Sequence, residues 1–235
     1  MGIKQYLLNF IGGSLLLANA SVLATDLRTL TAEAERKPLP TISQRLTPNS
    51  ALKRLMEGNL RFSHDKLVCA DRTSDRRTAT AGQQRPFAVI LGCADSRIPP
   101  EIVFDQGVGD LFVIRVAGNV VGPLELDSVE YSVIHNDSSI VIVLGHESCG
   151  AVTAVMANQT QDIEAIASLI EPAIQSAKGR SGNPLENAIK ANVRSVVRQL
   201  SHSPVLAKYI EDRKIKVVGG YYNLVSGKVE LLKDD

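Results

Sequence analysis

Two short strings in this 235-residue chain carry residue types that could hold a metal ion. They are Cys93-Ala94-Asp95-Ser96-Arg97 and, about fifty residues later, His146-Glu147-Ser148-Cys149. Two thiolates and one imidazole make a soft ligand set that suits zinc. Three protein ligands leave a tetrahedral ion one position for water, whose pKa falls from ~15.7 towards ~7 on such a metal. Two thiolates donate more negative charge than imidazoles, which holds that pKa somewhat above the value at a three-histidine site. Asp95 can accept the hydrogen bond of the resulting hydroxide, and Arg97, as a bidentate partner, keeps that carboxylate ionised and oriented. A Cys93–Cys149 disulfide is the alternative, especially in an exported chain. It explains neither His146 nor the Asp95–Arg97 pair. Cys69 lies in the charged stretch 65–77, away from any strand end, and reads as an unpaired thiol.

The elements that must bring these residues together can be read from the same sequence. Each string closes an apolar run, 87–92 before the first and 140–145 before the second. Such runs, bounded by turn residues, predict buried strands of a parallel sheet, with ligands converging at neighbouring carboxyl ends. Gly107-Val108-Gly109 opens a further strand over 111–116 and not a helix, which argues against a phosphate loop. Helical spacing predicts helices over 49–63 (Leu52, Leu55, Met56, Phe62), 124–136, 162–178, 185–200 and 205–211, with Pro172 kinking or dividing the third. Strands are expected over 214–222 and 228–232, separated by a turn at Ser226-Gly227. Asp105 and Asp110 read as loop or cap residues, and His64 and His202 as solvated residues near helix ends. The expected fold is α/β: a mostly parallel central sheet flanked by helices, with an N-terminal helical arm and a C-terminal hairpin edge.

Composition sets the class of partner. The chain is 44% hydrophobic, with 26 basic against 25 acidic side chains, so it can bury a sizeable core and offers no electrostatic case for nucleic acid. Lys4 precedes an uncharged run over 5–25, with Leu7-Leu8 and Leu15-Leu16-Leu17 at its centre. Ala18-Asn19-Ala20 and Val22-Leu23-Ala24 are both acceptable exits, so residues 1–24 read as a signal peptide cleaved after Ala20 or Ala24. An uncleaved anchor is the alternative, and only then is membrane contact expected. Residues 25–48, with Pro38 and Pro40, read as a polar linker to a domain over 49–235. The expected location is the periplasm or an equivalent lumen.

Taken together, the two strings resemble the Cys-x-Asp-x-Arg and His-x-x-Cys motifs of the β-class carbonic anhydrases, over a stretch from about Asn49 to near Leu231. The resemblance implies one zinc per chain on Cys93, His146 and Cys149, with Asp95 and Arg97 as the adjoining dyad. It implies reversible hydration of carbon dioxide to bicarbonate and a proton. Gln84, Phe112 and Tyr131 match residues lining the family's substrate pocket: an amide for a substrate oxygen, and an apolar wall. Tyr131 and His135, four apart and so on one helix face, are candidates for proton transfer, since histidine titrates near neutral pH. A helix histidine bonded to a carbonyl is the alternative for His135. The resemblance further implies a homodimer or higher even oligomer, with the N-terminal helix packed on a partner subunit. It also implies an open site in which Asp95 stays on Arg97 and off the metal. Carbon disulfide or carbonyl sulfide hydrolysis on the same site, or non-catalytic binding of carbon dioxide or bicarbonate, are the alternative functions.

Overall fold

The two uninterrupted apolar runs become the two central strands of a five-stranded sheet. In the computed structural model, which describes residues 45–233, the strands are β1 Ala88–Gly92, β2 Leu111–Arg115, β3 Ile140–His146, β4 Lys216–Tyr222 and β5 Val229–Leu232. The leader and residues 25–44 of the linker lie outside the described residues. The strand order is β2-β1-β3-β4-β5; the first four are parallel, and β5 returns antiparallel to β4. Every residue of β1 and β3 is buried, because both faces of the sheet are covered and neither face calls for polar residues. Alternation still sorts their side chains: Ala88, Ile90, Ile142 and Leu144 enter one core, and Val89, Leu91, Val141 and Val143 the other.

Helices α1 Pro48–Phe62, α3 Pro100–Val103, α5 Gly150–Met156 and α6 Glu164–Ala177 pack in the first core. Helices α4 Pro123–His135 and α8 Pro204–Glu211 pack in the second, and α7 Pro184–Ser201 contributes to both. A short α2, Ser74–Thr80, lies between α1 and β1 in the chain. From β1 the chain crosses to β2 on one side, then returns past β1 to β3 on the other. The strand order therefore reverses between β1 and β3, and the carboxyl ends at such a reversal are where open α/β sheets place their sites. Both strings lie at these two strand ends.

Helix α1 starts on Thr47, whose Oγ1 accepts from Ser50 N at 3.2 Å, followed by Pro48 in the first turn. Its fully buried stripe is Ala51, Leu55, Gly58 and Asn59, while Leu52, Met56 and Phe62 sit half-buried around it. A Cβ on Gly58 would lie 1.8 Å from the Phe104 carbonyl oxygen, so only glycine allows this approach. Asn59 donates to the carbonyls of Val103 and Gly227 and accepts from Val229 N, tying α1 to the last hairpin.

Three differences from the sequence reading have physical causes. Helix α6 is not divided at Pro172, one of the two outcomes expected there, because Pro172 and Ser168, whose carbonyl loses its helical partner, both face solvent. Asp105 and Asp110 are not simple loop or cap residues but buried anchors. Asp105 takes Arg61 Nε at 2.7 Å and the amides of Val68 and Cys69. Asp110 takes Arg54 at 2.9 Å, Arg76 at 3.0 Å and the Gly107 amide. The short helices α2, α3 and α5 had no periodicity long enough to announce them. Among the described residues, no helix is long and apolar enough to cross a membrane.

Candidate metal centre

Cys93 is the first residue past β1, and Gly92 is in register with Leu144 of β3 and Arg115 of β2. The chain turns there, and the turn is held from β2: Arg115 Nε donates to the Cys93 carbonyl at 3.0 Å, and its Nη2 to the Asp95 carbonyl. Asp95 is gripped by Arg97 through three donors. The Arg97 amide and Nε reach Oδ1, each at 2.9 Å, and Nη2 reaches Oδ2 at 2.7 Å. These bonds hold the Asp95 carboxyl well below the usual carboxylate range, with the guanidinium hydrogen bonds as the main cause.

His146 closes β3, is fully buried, and its ring Nδ1 lies 2.8 Å from the Glu147 carbonyl oxygen. A carbonyl only accepts, so Nδ1 carries the hydrogen and Nε2 keeps its lone pair. Nε2 has no hydrogen-bond partner. The Glu147 carbonyl is itself well placed. The Glu147 amide donates to the Tyr222 carbonyl at 2.8 Å, and Oε2 accepts from Asn223 Nδ2 at 3.1 Å and Leu224 N at 3.0 Å. Ser148 then adopts a left-handed φ of 53°, which turns the chain so that Cys149 caps α5. There the amides of Ala151 and Val152 address its sulfur.

The Cys93 and Cys149 sulfurs and a His146 ring nitrogen all lie within 4.8 Å of one another. The ligand atoms of a tetrahedral zinc sit roughly 3.5–4 Å apart, so the spacing suits that ion. The orphaned Nε2 is the stronger sign, since a buried imidazole nitrogen without a partner is costly unless something binds it. The sulfurs agree: a hydrogen bond from Cys149, together with His146 and the amides of Gly118 and Asp95, outweighs burial and holds the Cys93 thiol well below the usual thiol range. Cys149 is pushed up, because a second thiolate beside the first is opposed by its charge and by burial. One proton shared between two buried sulfurs is the state that a dication would resolve by displacing it. The donor set fits zinc.

The other residues singled out in the sequence lie elsewhere in the single chain. Phe112 is in register with Val89, near the start of β1, and packs in the core opposite to Cys93. Its ring is 6.1 Å from that of Tyr131, and Tyr131 is 4.9 Å from His135, so these three do form a group. Helix α4 runs back from the carboxyl to the amino end of the sheet, which carries Tyr131 and His135 away from His146. Gln84 is exposed, just ahead of β1. Cys69 is exposed, and His64 and His202 cap their own helices on the Leu60 and Arg198 carbonyls. Three supporting residues escaped the sequence reading in their roles: Arg115, Glu147, and Gly118, whose amide donates to Cys93 Sγ at 3.3 Å.

The sequence model of the family described as carbonic anhydrase matches residues 88–229. The chain is 35% identical over 191 residues to the carbonic anhydrase of Mycolicibacterium smegmatis, covering 78% of this chain and 93% of that one. Its fold is similar to that of a β-carbonic anhydrase of Aspergillus fumigatus, with a TM-score of 0.60 and 25% identity over 79% of this chain and 90% of that one. It is also similar in fold to a structure described as tetrameric β-carbonic anhydrases of Sordaria macrospora, with a TM-score of 0.60 and 19% identity over 91% and 98% of the two chains.

Proposed function

The chain belongs to the β-class carbonic anhydrase family, and from that membership we propose how its own residues carry the reversible hydration of carbon dioxide to bicarbonate and a proton. The observation that carries the reading is the buried, partnerless His146 Nε2 beside two sulfurs, with Asp95 turned onto Arg97 close by. Cys93, His146 and Cys149 hold the zinc. Zinc, when bound, supplies the Lewis acidity that lets a water act as a nucleophile at neutral pH. The Asp95 carboxylate, with Oδ2 3.9 Å from His146 Nε2, accepts that nucleophile's remaining hydrogen and so aims its lone pair at the substrate carbon. Arg97 keeps Asp95 ionised and fixed in direction, so near neutral pH the carboxylate stays on the guanidinium and does not itself ligate the metal. A crystal structure near pH 7 with Asp95 on zinc, together with activity rising cooperatively with pH, would reject this open form.

Carbon dioxide also needs a dry wall and a donor for the oxygen on which charge builds. Gln84, Phe112 and Tyr131 have the right chemistry, and we read them as reaching the metal centre from a second copy of the chain in an even-numbered oligomer. Support comes from one face of α4, where Leu124 is 77%, Tyr131 49% and Ile134 42% exposed beside the open edge of β2. Apolar side chains grouped in this way mark an interaction surface. His135, its ring tilted against that of Tyr131, is then placed to carry the proton outward. The leader supports export, with the mature chain starting at Ser21 or Thr25 in the periplasm or an equivalent lumen. N-terminal sequencing that finds Met1 on soluble cytoplasmic protein rejects export.

Stopped-flow hydration of carbon dioxide tests the central reading. Zinc-loaded protein is expected to be active, and Asp95→Asn to lose about a hundredfold of kcat while keeping its zinc. Zinc-loaded wild-type protein with no rate above buffer overturns it.

A further inference from the structure

The 3-10 turn that follows β2, Ala117–Asn119, holds two successive residues in the left-handed region, Gly118 at φ 74° and Asn119 at φ 45°. The turn delivers one backbone N–H into the protein interior, where Gly118 N meets Cys93 Sγ at 3.3 Å. Only glycine fits. Beyond its positive φ, a Cβ at this position would lie 2.8 Å from Ile170 Cδ1 and 3.3 Å from Ala151 Cβ. The other side of the same residue is held from far away in the chain, because Asn192 Nδ2 in α7 donates to the Gly118 carbonyl at 2.8 Å.

Asn192 is out of keeping with its surroundings. It is 1% exposed on a helix whose other buried residues include Ile189, Val193 and Val196, and its Oδ1 has no partner. A half-satisfied buried amide destabilises a core relative to an apolar residue of the same shape. Leucine is nearly isosteric and would complete the apolar face. Packing therefore does not account for Asn192, whereas its one bond does, because it ends one residue's backbone away from a metal-ligating sulfur.

We infer that Asn192 is a positioning residue of the zinc centre, holding the Gly118 carbonyl so that the Gly118 N–H stays on the Cys93 sulfur. An N–H on a ligating thiolate fixes its orientation and draws off part of its charge, which leaves the metal more electrophilic. The inference rests on Cys93 being a zinc ligand and goes beyond it by adding a residue that touches neither metal nor substrate.

The test uses full-length protein substituted with cobalt(II). A thiolate-to-cobalt charge-transfer band in the wild type reports on the cysteine ligands themselves, and its absence would overturn the ligand assignment together with this inference. Given that band, Asn192→Leu is expected to move it to lower energy, since a sulfur without its N–H gives up charge more readily. Zinc affinity, read by chelator competition, is expected to fall about tenfold. Thermal stability of the metal-free variant is expected to match or exceed wild type, which separates positioning from folding. Unchanged band energy and unchanged affinity in Asn192→Leu overturn the inference. Should the leucine variant not fold, cadmium-113 protein with nitrogen-15 glycine gives a second reading in the wild type. Through-bond coupling between the metal and the Gly118 amide proton is expected, and no coupling overturns the inference.

Discussion

Removing the Arg97 guanidinium takes two of the three Arg97 donors from Asp95, leaving only the backbone amide, and leaves every metal ligand in place. Arg97→Leu is therefore expected to lower kcat/KM by roughly a hundredfold in stopped-flow assays with zinc content unchanged, because the carboxylate is no longer held in the direction its task requires. Cys149→Ala has the opposite signature. Metal analysis should show zinc falling well below the one per chain expected of the wild type, and full occupancy in that variant would reject the ligand set. These residues were legible in the sequence because ligands and dyad sit in two short strings, each ending an apolar run. Arg115, Glu147 and Asn192 were not. Arg115 and Asn192 act by donating to backbone carbonyls, and Glu147 offers its own carbonyl to His146. Such bonds depend on where a distant segment passes, which no local spacing records.

Among the elements, the start of the segment between α1 and β1 is pinned through Asp105, which is gripped by Arg61 and by the amides of Val68 and Cys69. Burial raises its carboxyl pKa, but these donors together outweigh burial and set it below the usual range. A depressed folded-state pKa contributes stability that is present above the unfolded value, about 3.9, and is lost as pH falls through the folded value. Asp105→Asn is thus expected to cost about 2 kcal/mol at pH 7 by urea denaturation, with the gap to wild type closing only below about pH 4. Gly58→Ala should cost a similar amount, about 1–3 kcal/mol, since a new Cβ meets the Phe104 carbonyl and forces α1 off the core. The long helices and the strands could be read from periodicity, to within a residue or two at their ends. The contact stripe of α1 could not, because its closest approach is made by a glycine and an asparagine, which look polar or neutral in a hydrophobic pattern. Pro172 left open whether its helix would divide, since the effect depends on which way the proline faces.

At the scale of the whole molecule, zinc should behave as part of the fold. A ligand that binds only the native state stabilises it by about 4 kcal/mol when free metal is a thousandfold above Kd, so chelator-stripped protein is expected to melt several degrees lower and to recover on zinc addition. The exposed face of α4 gives the second test, in which Tyr131→Glu is expected to shift the chain to a smaller species in sedimentation and to lower activity without loss of zinc. A variant of unchanged size and rate would leave Tyr131 outside the pocket. The pairing of β1 with β3 also has a bearing on biogenesis. Cys93 and His146 are neighbours only because two strands about fifty residues apart in the chain lie side by side in register, with β2 and α4 made in between. An unfolded chain would have to close that whole loop to present the same three ligands, at a cost set by the entropy of the chain. An unfolded chain therefore holds the metal less tightly than the folded one, by the cost of that closure. Zinc capture is coupled to the pairing of β1 with β3, so the supply of metal where the chain folds would set how much of it is active.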